Sequence, residues 1–441
     1  MNIEFETALA RDPASSCNPR GFRISSAVPV HAAMISLPSP FKPLLAGLFL
    51  TLAQIVTAVC LLAPEGAFSY RYSTLIQHDG YWFMNIVHRG YATTVPPINH
   101  KVMEVSNVAF FPAYPAIASL LQRGLNLETS TALLITSQAA AWGFWTYFFL
   151  FCERWNLSPT LQLFGAMSIF AHPAAFFLIA GYSESLFLFG LVGFIYWSGA
   201  DGRAAKFWAA LHGIIMSATR IIGIICAAFP VVAQALREGW NGVRDWRGWW
   251  QRYRSSIALT IAAASGAILF FIYCLLRWGH WDMYMLTQSA GWGIDPDYLA
   301  VFKPSSYRWL VPALNNPTQM SQMSVTVGAL LFVAIGICEL LPVVRRNSPL
   351  TTRAGIYFCA VAIYYVSVSG VACVEMESML RYSFCAHALI VLALLQLLGT
   401  IRVPSALVRA LGMGTMALIS AVGFSVQGWY VWNFTRGNWV A

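Results

Sequence analysis

Charge is scarce in this sequence, and its scarcity excludes more than any single motif does. Only 10% of the 441 residues are Asp, Glu, Lys or Arg, while 58% are hydrophobic. A soluble domain carries about a quarter charged residues, because water must wet its surface. With a mean hydropathy of +0.60, no part of the chain reads as a substantial soluble domain. The nine cysteines are scattered singly, most of them inside apolar runs (Cys60, Cys152, Cys226, Cys274, Cys338, Cys359 and Cys385). No CxxC or Cys/His cluster occurs, so neither a zinc site nor a disulfide framework is indicated, and these thiols read as packing residues. A basic stripe interleaved with exposed aromatics is also missing, which removes nucleic acid as a partner. The first 35 residues lack the apolar core of a cleavable signal peptide. Residues 1–41 therefore read as a flexible cytoplasmic extension, with Met34 as an alternative start.

What the chain has instead is a series of apolar runs of the ~20 residues needed to cross a bilayer. They predict an all-α polytopic membrane protein with about eleven spans, near 42–63, 129–152, 160–179, 183–199, 204–219, 221–236, 255–277, 323–343, 354–374, 383–400 and 407–431. The run from 204 to 236 is divided because a single helix there would be about 48 Å long, well beyond the bilayer core. The division falls at Ser217-Ala218-Thr219-Arg220, where an arginine suits a turn better than lipid. Loops at 1–42, 153–159, 200–206, 237–254, 344–353 and 401–409 hold 17 of the 27 Lys and Arg residues. By the positive-inside rule they face the cytoplasm. The N-terminus is then cytoplasmic, residues 42–432 form the transmembrane domain, and 433–441 form a short outer tail.

Two outer segments, 64–128 and 278–322, are longer than connection requires, and such loops usually carry function. In the first, Trp82, Phe83, Ile86 and Val87 share one helical face, with Asn85, His88 and Arg89 on the other, the pattern of a helix lying in the membrane interface. A second such element runs from Val108 to Leu121 and carries Pro112 and Pro115.

The densest polar cluster is Gln77-His78-Asp79-Gly80-Tyr81-Trp82-Phe83. A carboxylate held beside a histidine can take a proton from a substrate hydroxyl; equally, Asp79 can cap the helix it precedes. Gly181-Tyr182-Ser183-Glu184-Ser185-Leu186 comes second. Ser183 or Glu184 would satisfy a helix end there, yet an acid at the edge of an apolar run tends to face a cavity or a partner. Arg220 and Arg381-Tyr382 come third, because guanidinium forks match phosphate oxygens. The plainer reading of Arg381 pairs it with Glu375 or Glu377, and that of both arginines is snorkelling to headgroups. Trp281-Asp282 and Gln288 are weaker ligand candidates, and His172 reads as bonding a backbone carbonyl at a span end. The predicted topology puts Asp79, Glu184, Arg220 and Arg381 at one face, the outer one.

The run His78-Asp79-Gly80-Tyr81-Trp82-Phe83-Met84-Asn85-Ile86-Val87-His88-Arg89-Gly90-Tyr91, followed by Asn107-Val108-Ala109-Phe110-Phe111-Pro112-Ala113-Tyr114-Pro115, resembles the second mannosyltransferase of GPI-anchor synthesis. That family, phosphatidylinositol-glycan class V, includes bacterial relatives and belongs to the GT-C membrane glycosyltransferases. Ala180-Gly181-Tyr182-Ser183-Glu184-Ser185-Leu186-Phe187, Ala218-Thr219-Arg220 and Arg381-Tyr382 are similar to its later motifs, so the matches run from about residue 75 to 385. Two departures stand out: His78 replaces the usual Trp, and the stretch from Ala92 to Ser106 is longer than in eukaryotic members.

The resemblance implies a GT-C-type bundle with amphipathic interfacial helices in the first outer loop. It further implies a polyprenyl- or dolichyl-phosphate sugar donor, with mannose the expected sugar, and an acceptor hydroxyl on a lipid or glycan. Asp79 would be the general base of one inverting displacement. Arg220 and Arg381 would hold the lipid phosphate, and His78, Glu184, Tyr182, Ser183 and Tyr382 would line the substrate site. No metal and no cofactor beyond the donor are required. The membrane would be a bacterial inner membrane or the endoplasmic reticulum, with a small membrane subunit as an optional partner. From a different class, a transporter or flippase of lipid-linked sugars would use the same arginines without a base. A catalytically dead scaffold subunit is a third reading.

Overall fold

A computed structural model of the chain describes residues 41–93, 106–244, 248–342, 344, 353–400 and 406–440. The predicted extension 1–41 lies outside them except for its last residue, as does most of the long stretch from Ala92 to Ser106. Among the described residues the regular structure is entirely helical. Helix α1 spans Phe41–Ile55 and widens to a π-helix over Val56–Leu62. Its last carbonyls, which the helix itself leaves unpaired, accept from Arg71 (2.6 Å to Cys60 O) and Arg436 (3.1 Å to Leu62 O).

The first outer loop then folds as α2 (Phe68–Ser73), α3 (Asp79–Arg89) and α4 (Ala113–Leu125). Pro112 stands at the N-cap of α4 and Pro115 in its first turn, where a missing N–H costs nothing. The α3 pattern is realised in the packing: Phe83 and Ile86 are buried, while His88 and Arg89 are exposed.

The bundle continues with α5 (Thr129–Arg154), α6 (Pro159–Phe170), α7 (Glu184–Ser198), α8 (Arg203–Thr219), the single turn α9 (Gly223–Cys226) and α10 (Phe229–Arg244). After it come α11 (Trp249–Trp278), α12 (Met283–Trp292), α13 (Pro317–Leu340), α14 (Ala354–Val371), α15 (Met379–Gly399) and α16 (Ala406–Phe434). Five segments are long and apolar enough to cross a membrane: Phe41–Leu62, Trp249–Trp278, Pro317–Leu340, Ala354–Val374 and Met379–Gly399. Together with the composition they mark an integral membrane protein. Of the 18-residue apolar stretch in each, 67% is buried in the last but only 22% in Pro317–Leu340. Helix α15 is therefore central, and α13 turns residues such as Val333 and Ile337 outward. Helix α8 packs on both α7 and α11, and Gly266 permits the second contact: a Cβ there would meet the Ile214 carbonyl at 2.3 Å. Small residues at such crossings let helix backbones approach closely.

Two predicted spans need correction. The segment 160–179 is helical only to Phe170, followed by turns and a 3-10 turn at Ala175–Leu178. Pro173 disfavours helix at the residue before it and has no N–H to donate. The freed backbone groups find side-chain partners, as buried breaks in a bundle require. Gln427 donates to the carbonyls of Phe170 (2.9 Å) and His172 (2.8 Å), and Gln54 donates to Ala175 O at 3.2 Å. His172 also differs from expectation: its Nδ1 accepts from the Ala174 backbone N–H at 3.1 Å and bonds no carbonyl. The segment 221–236 is likewise divided, into α9 and α10. The split near Arg220 does occur: α8 ends at Thr219, and Arg220 is extended at φ −151, ψ 144. Of the seven cysteines expected to pack, five are buried, whereas Cys60 is exposed and Cys338 half-buried.

Candidate active site

Asp79 opens α3, and its N-terminal neighbour His78 takes an unusual backbone conformation, φ 46 and ψ −105. On the opposite wall, Glu375, Met376 and Ser378 all have φ between 54 and 64 just before α15. Non-glycine residues with positive φ are uncommon, and such strain gathers where a side chain must be aimed. The aim here is mutual: Arg381 Nη1 donates to Asp79 Oδ2 at 2.6 Å. The capping reading of Asp79 fails, since the cap position is His78 and no side chain caps the helix.

A third wall is the turn before α7. Gly181 N donates to the Leu75 carbonyl at 3.0 Å, which ties this turn to the segment leading into α3. A Cβ on Gly181 would meet Ile76 Cδ1 at 2.3 Å, so a larger residue would make the end of the Ile76 side chain turn aside. Ser137 of α5 donates to the Tyr182 carbonyl at 3.0 Å, and Tyr114 of α4 bonds Ser137 at 2.8 Å. Glu184, in the first turn of α7 where the helix dipole favours an acid, is fully buried and forms an ion pair with Arg220. Arg381 Nε also lies 3.3 Å from Glu184 Oε1, close enough to pair although its N–H is not aimed at that oxygen. Arg220 Nε donates to Ser183 Oγ at 3.4 Å, and Ser183 makes no capping bond.

Two acids and two guanidinium groups from four distant parts of the chain thus form one balanced cluster. Arg381 sits against the rings of Tyr182 and Tyr382, each 5.0 Å away, and Arg220 lies 5.4 Å from Tyr382. Such cation–ring contacts hold an arginine without neutralising it. Two buried atoms in the cluster, Glu184 Oε2 and Arg381 Nε, have no hydrogen-bond partner. Asp79 is the open acid: its side chain is 24% exposed, that of Glu184 0%. Burial, and then the Asp79 charge, push the Tyr182 phenol well above its ordinary pKa, so it stays neutral. The described residues gather no group of three or more His, Cys, Asp or Glu that would hold a metal ion.

Arg381 does not pair with Glu375 or Glu377, both of which are exposed. His78 turns away from the cluster: its ring stands edge-on to Trp439 at 4.9 Å, and Nε2 lies 3.3 Å from Asn438 O. Trp281 is exposed, and Asp282 lies 3.8 Å from His280. Gln288 of α12 instead lies one helical turn from Tyr284, a residue that sequence reasoning missed. Burial, with the Tyr382 hydroxyl nearby, pushes the Tyr284 pKa up to about 12, and Gln288 and Arg220 oppose the rise. Helix α12 is fixed over the first loop by Trp292 against Trp82 (5.9 Å) and Phe110 (6.0 Å), and by Thr287 bonded to Ser106 at 3.1 Å. Asn107 was also missed. It donates to Gly90 O and accepts from Ala92 N, both at 2.9 Å, closing the turn after α3. The i, i+4 spacing of Tyr284 and Gln288 was the one legible hint for the first; Asn107 gave none outside its motif.

No family model matches the chain, and no curated protein matches it. Among solved structures it is similar to ArnT from Cupriavidus metallidurans bound to undecaprenyl phosphate. The identity is 10% and the TM-score 0.49, over 87% of this chain and 64% of that one. It is also similar to the archaeal oligosaccharyltransferase AglB from Archaeoglobus fulgidus in complex with an inhibitory peptide and a dolichol-phosphate. There the identity is 11% and the TM-score 0.46, over 89% of this chain and 56% of that one. The chain thus spans less than two thirds of the length of either.

Proposed function

We propose that the chain is a membrane glycosyltransferase of GT-C type that transfers a sugar, with mannose the expected one, from a polyprenyl or dolichyl phosphate to an acceptor hydroxyl on a lipid or glycan. The observation that carries this reading is the accessible Asp79 carboxylate 2.6 Å from Arg381, in a cluster whose second guanidinium belongs to Arg220. Resemblance of the motifs around these four residues to the GPI mannosyltransferase family supports the choice of donor.

In this reaction Asp79 takes the proton of the acceptor hydroxyl. The acceptor oxygen attacks the anomeric carbon opposite the phosphate, the carbon–oxygen bond to the phosphate breaks, and the lipid phosphate leaves with both electrons. The anomeric configuration inverts once. Arg381 and Arg220 meet the charge that develops on the leaving phosphate, the largest contribution such a site makes. The rings of Tyr182 and Tyr382 stand beside these guanidinium groups. Glu184, buried and paired to both arginines, is a positioning residue that keeps them aimed. Tyr284 and Gln288 on α12 extend the polar wall beside Tyr382 and Arg220.

The test supplies radiolabelled polyprenyl-phosphate mannose to membranes carrying wild type or Asp79→Asn. Transfer falls to background in the variant while the amount of inserted protein stays the same. Unchanged transfer would remove Asp79 as base. Translocation of the lipid-linked sugar without transfer in either protein would replace the enzyme by a flippase.

A further inference from the structure

The last turn of α3 and one side of α4, from Pro112 to Arg123, line a cleft of about 470 Å3 that the proposed reaction does not use. Its polar lining includes His88, Arg89, Ser119 and Arg123, its apolar lining includes Val87 and Pro115, and among the described residues no carboxylate lines it. Arg89 and Arg123 form no ion pair among the described residues, and the nearest partner of Arg89 is the neutral amide of Asn85. His88 is held in place: its Nε2 lies 3.1 Å from the Thr129 hydroxyl, which also accepts from Gln122 at 2.9 Å.

Basic residues in a last helical turn offset the negative end of the helix dipole, and that accounts for a cation at the end of each helix. It does not account for two helices aiming theirs into one shared cavity. On the α4 surface next to it, Leu120 and Leu125 are 72% and 62% exposed, a surface suited to acyl chains and costly in water. Arginines without an ion pair among the described residues, at such a polar–apolar boundary, match an anionic headgroup, and guanidinium forks take phosphate oxygens in pairs. Along α3 the cleft lies about 15 Å from Asp79 at 1.5 Å per residue, so it is separate from the charged cluster.

We propose that this cleft binds the phosphate of an anionic bilayer phospholipid through Arg89 and Arg123, with His88 as a further donor. The experiment follows thermal unfolding of the full chain in phosphatidylcholine nanodiscs as phosphatidylglycerol replaces part of the lipid. Wild type gains several degrees in Tm; Arg89→Gln/Arg123→Gln gains none. An equal gain in both proteins overturns the proposal. So does an equal gain for wild type from inorganic phosphate alone, which would assign the cleft to a free anion. Should the double variant fail to insert, native mass spectrometry of wild type and Arg123→Gln counts phosphatidylglycerol retained through purification. One lipid fewer in the variant supports the site, and equal counts overturn it.

Discussion

Two clusters of buried charge stand in the described bundle, and they are built differently. One joins Glu339 at the end of α13 to Arg353 just before α14. Arg353 Nε and Nη2 donate to the two carboxylate oxygens at 2.7 and 2.8 Å, and the Tyr357 hydroxyl donates to Oε1 at 2.7 Å. Here the fork is closed and both carboxylate oxygens are used. The other, around Asp79, leaves Glu184 Oε2 and Arg381 Nε buried without a hydrogen bond and keeps Asp79 partly open. A buried polar atom without a partner costs about 1–3 kcal/mol. A cluster kept that way has capacity for something beyond itself, whereas the closed pair fastens two helices.

The comparison breaks if the two clusters respond alike. Asp79→Asn is expected to cut transfer by about 10³-fold, within the usual span for a general base, with a fall in Tm well below that of Arg353→Ala, because Arg381 keeps Glu184 beside it. Arg353→Ala should do the reverse. Removing one partner of a buried pair costs about 3–5 kcal/mol, read as a fall in Tm and in inserted protein, while the protein that remains folded transfers sugar at the wild-type rate. Gly181→Ala puts a methyl against the end of the Ile76 side chain at the joint between α3 and the α7 turn, an overpacking worth about 1 kcal/mol, the low end for such changes. It should lower Tm and kcat together, because the turn that carries Glu184 shifts. Tyr357→Phe removes one hydroxyl from the closed pair and should cost about 1 kcal/mol with no kinetic effect. A kinetic effect from Tyr357→Phe, or a large stability loss from Asp79→Asn, would erase the distinction.

Much of the architecture was legible because a bilayer imposes one strong rule, an apolar run of sufficient length. Where the chain departs from that rule, reading failed for a nameable reason. The break at Pro173 is sustained by Gln427, more than 250 residues away, a partner no local window contains. The four residues of the charged cluster were conspicuous because a polar group in an apolar context is conspicuous. Their pairing was not legible: Glu375 and Glu377 are nearer to Arg381 in sequence, yet their turn leaves both exposed while Asp79 is brought in. Arg353 illustrates the same limit from the other side. It counted toward the charge bias of a cytoplasmic loop, but in the fold it is fully buried against Glu339. Tyr284 escaped notice since, in an aromatic-rich loop, its i, i+4 spacing to Gln288 was the one mark it carried.

The bond between Arg381 and Asp79 joins residues 302 positions apart. Chains of this kind enter a membrane progressively from the N-terminal end, so Asp79 is in place long before its partner has been synthesised. Until α15 arrives, the acid has no counter-charge from that wall and the pocket has only part of its lining. The last large element of the centre therefore acts as a timer: no nascent or truncated chain lacking α15 carries a working site. Under the function proposed above, the site is thereby kept inert throughout the protein's own biogenesis.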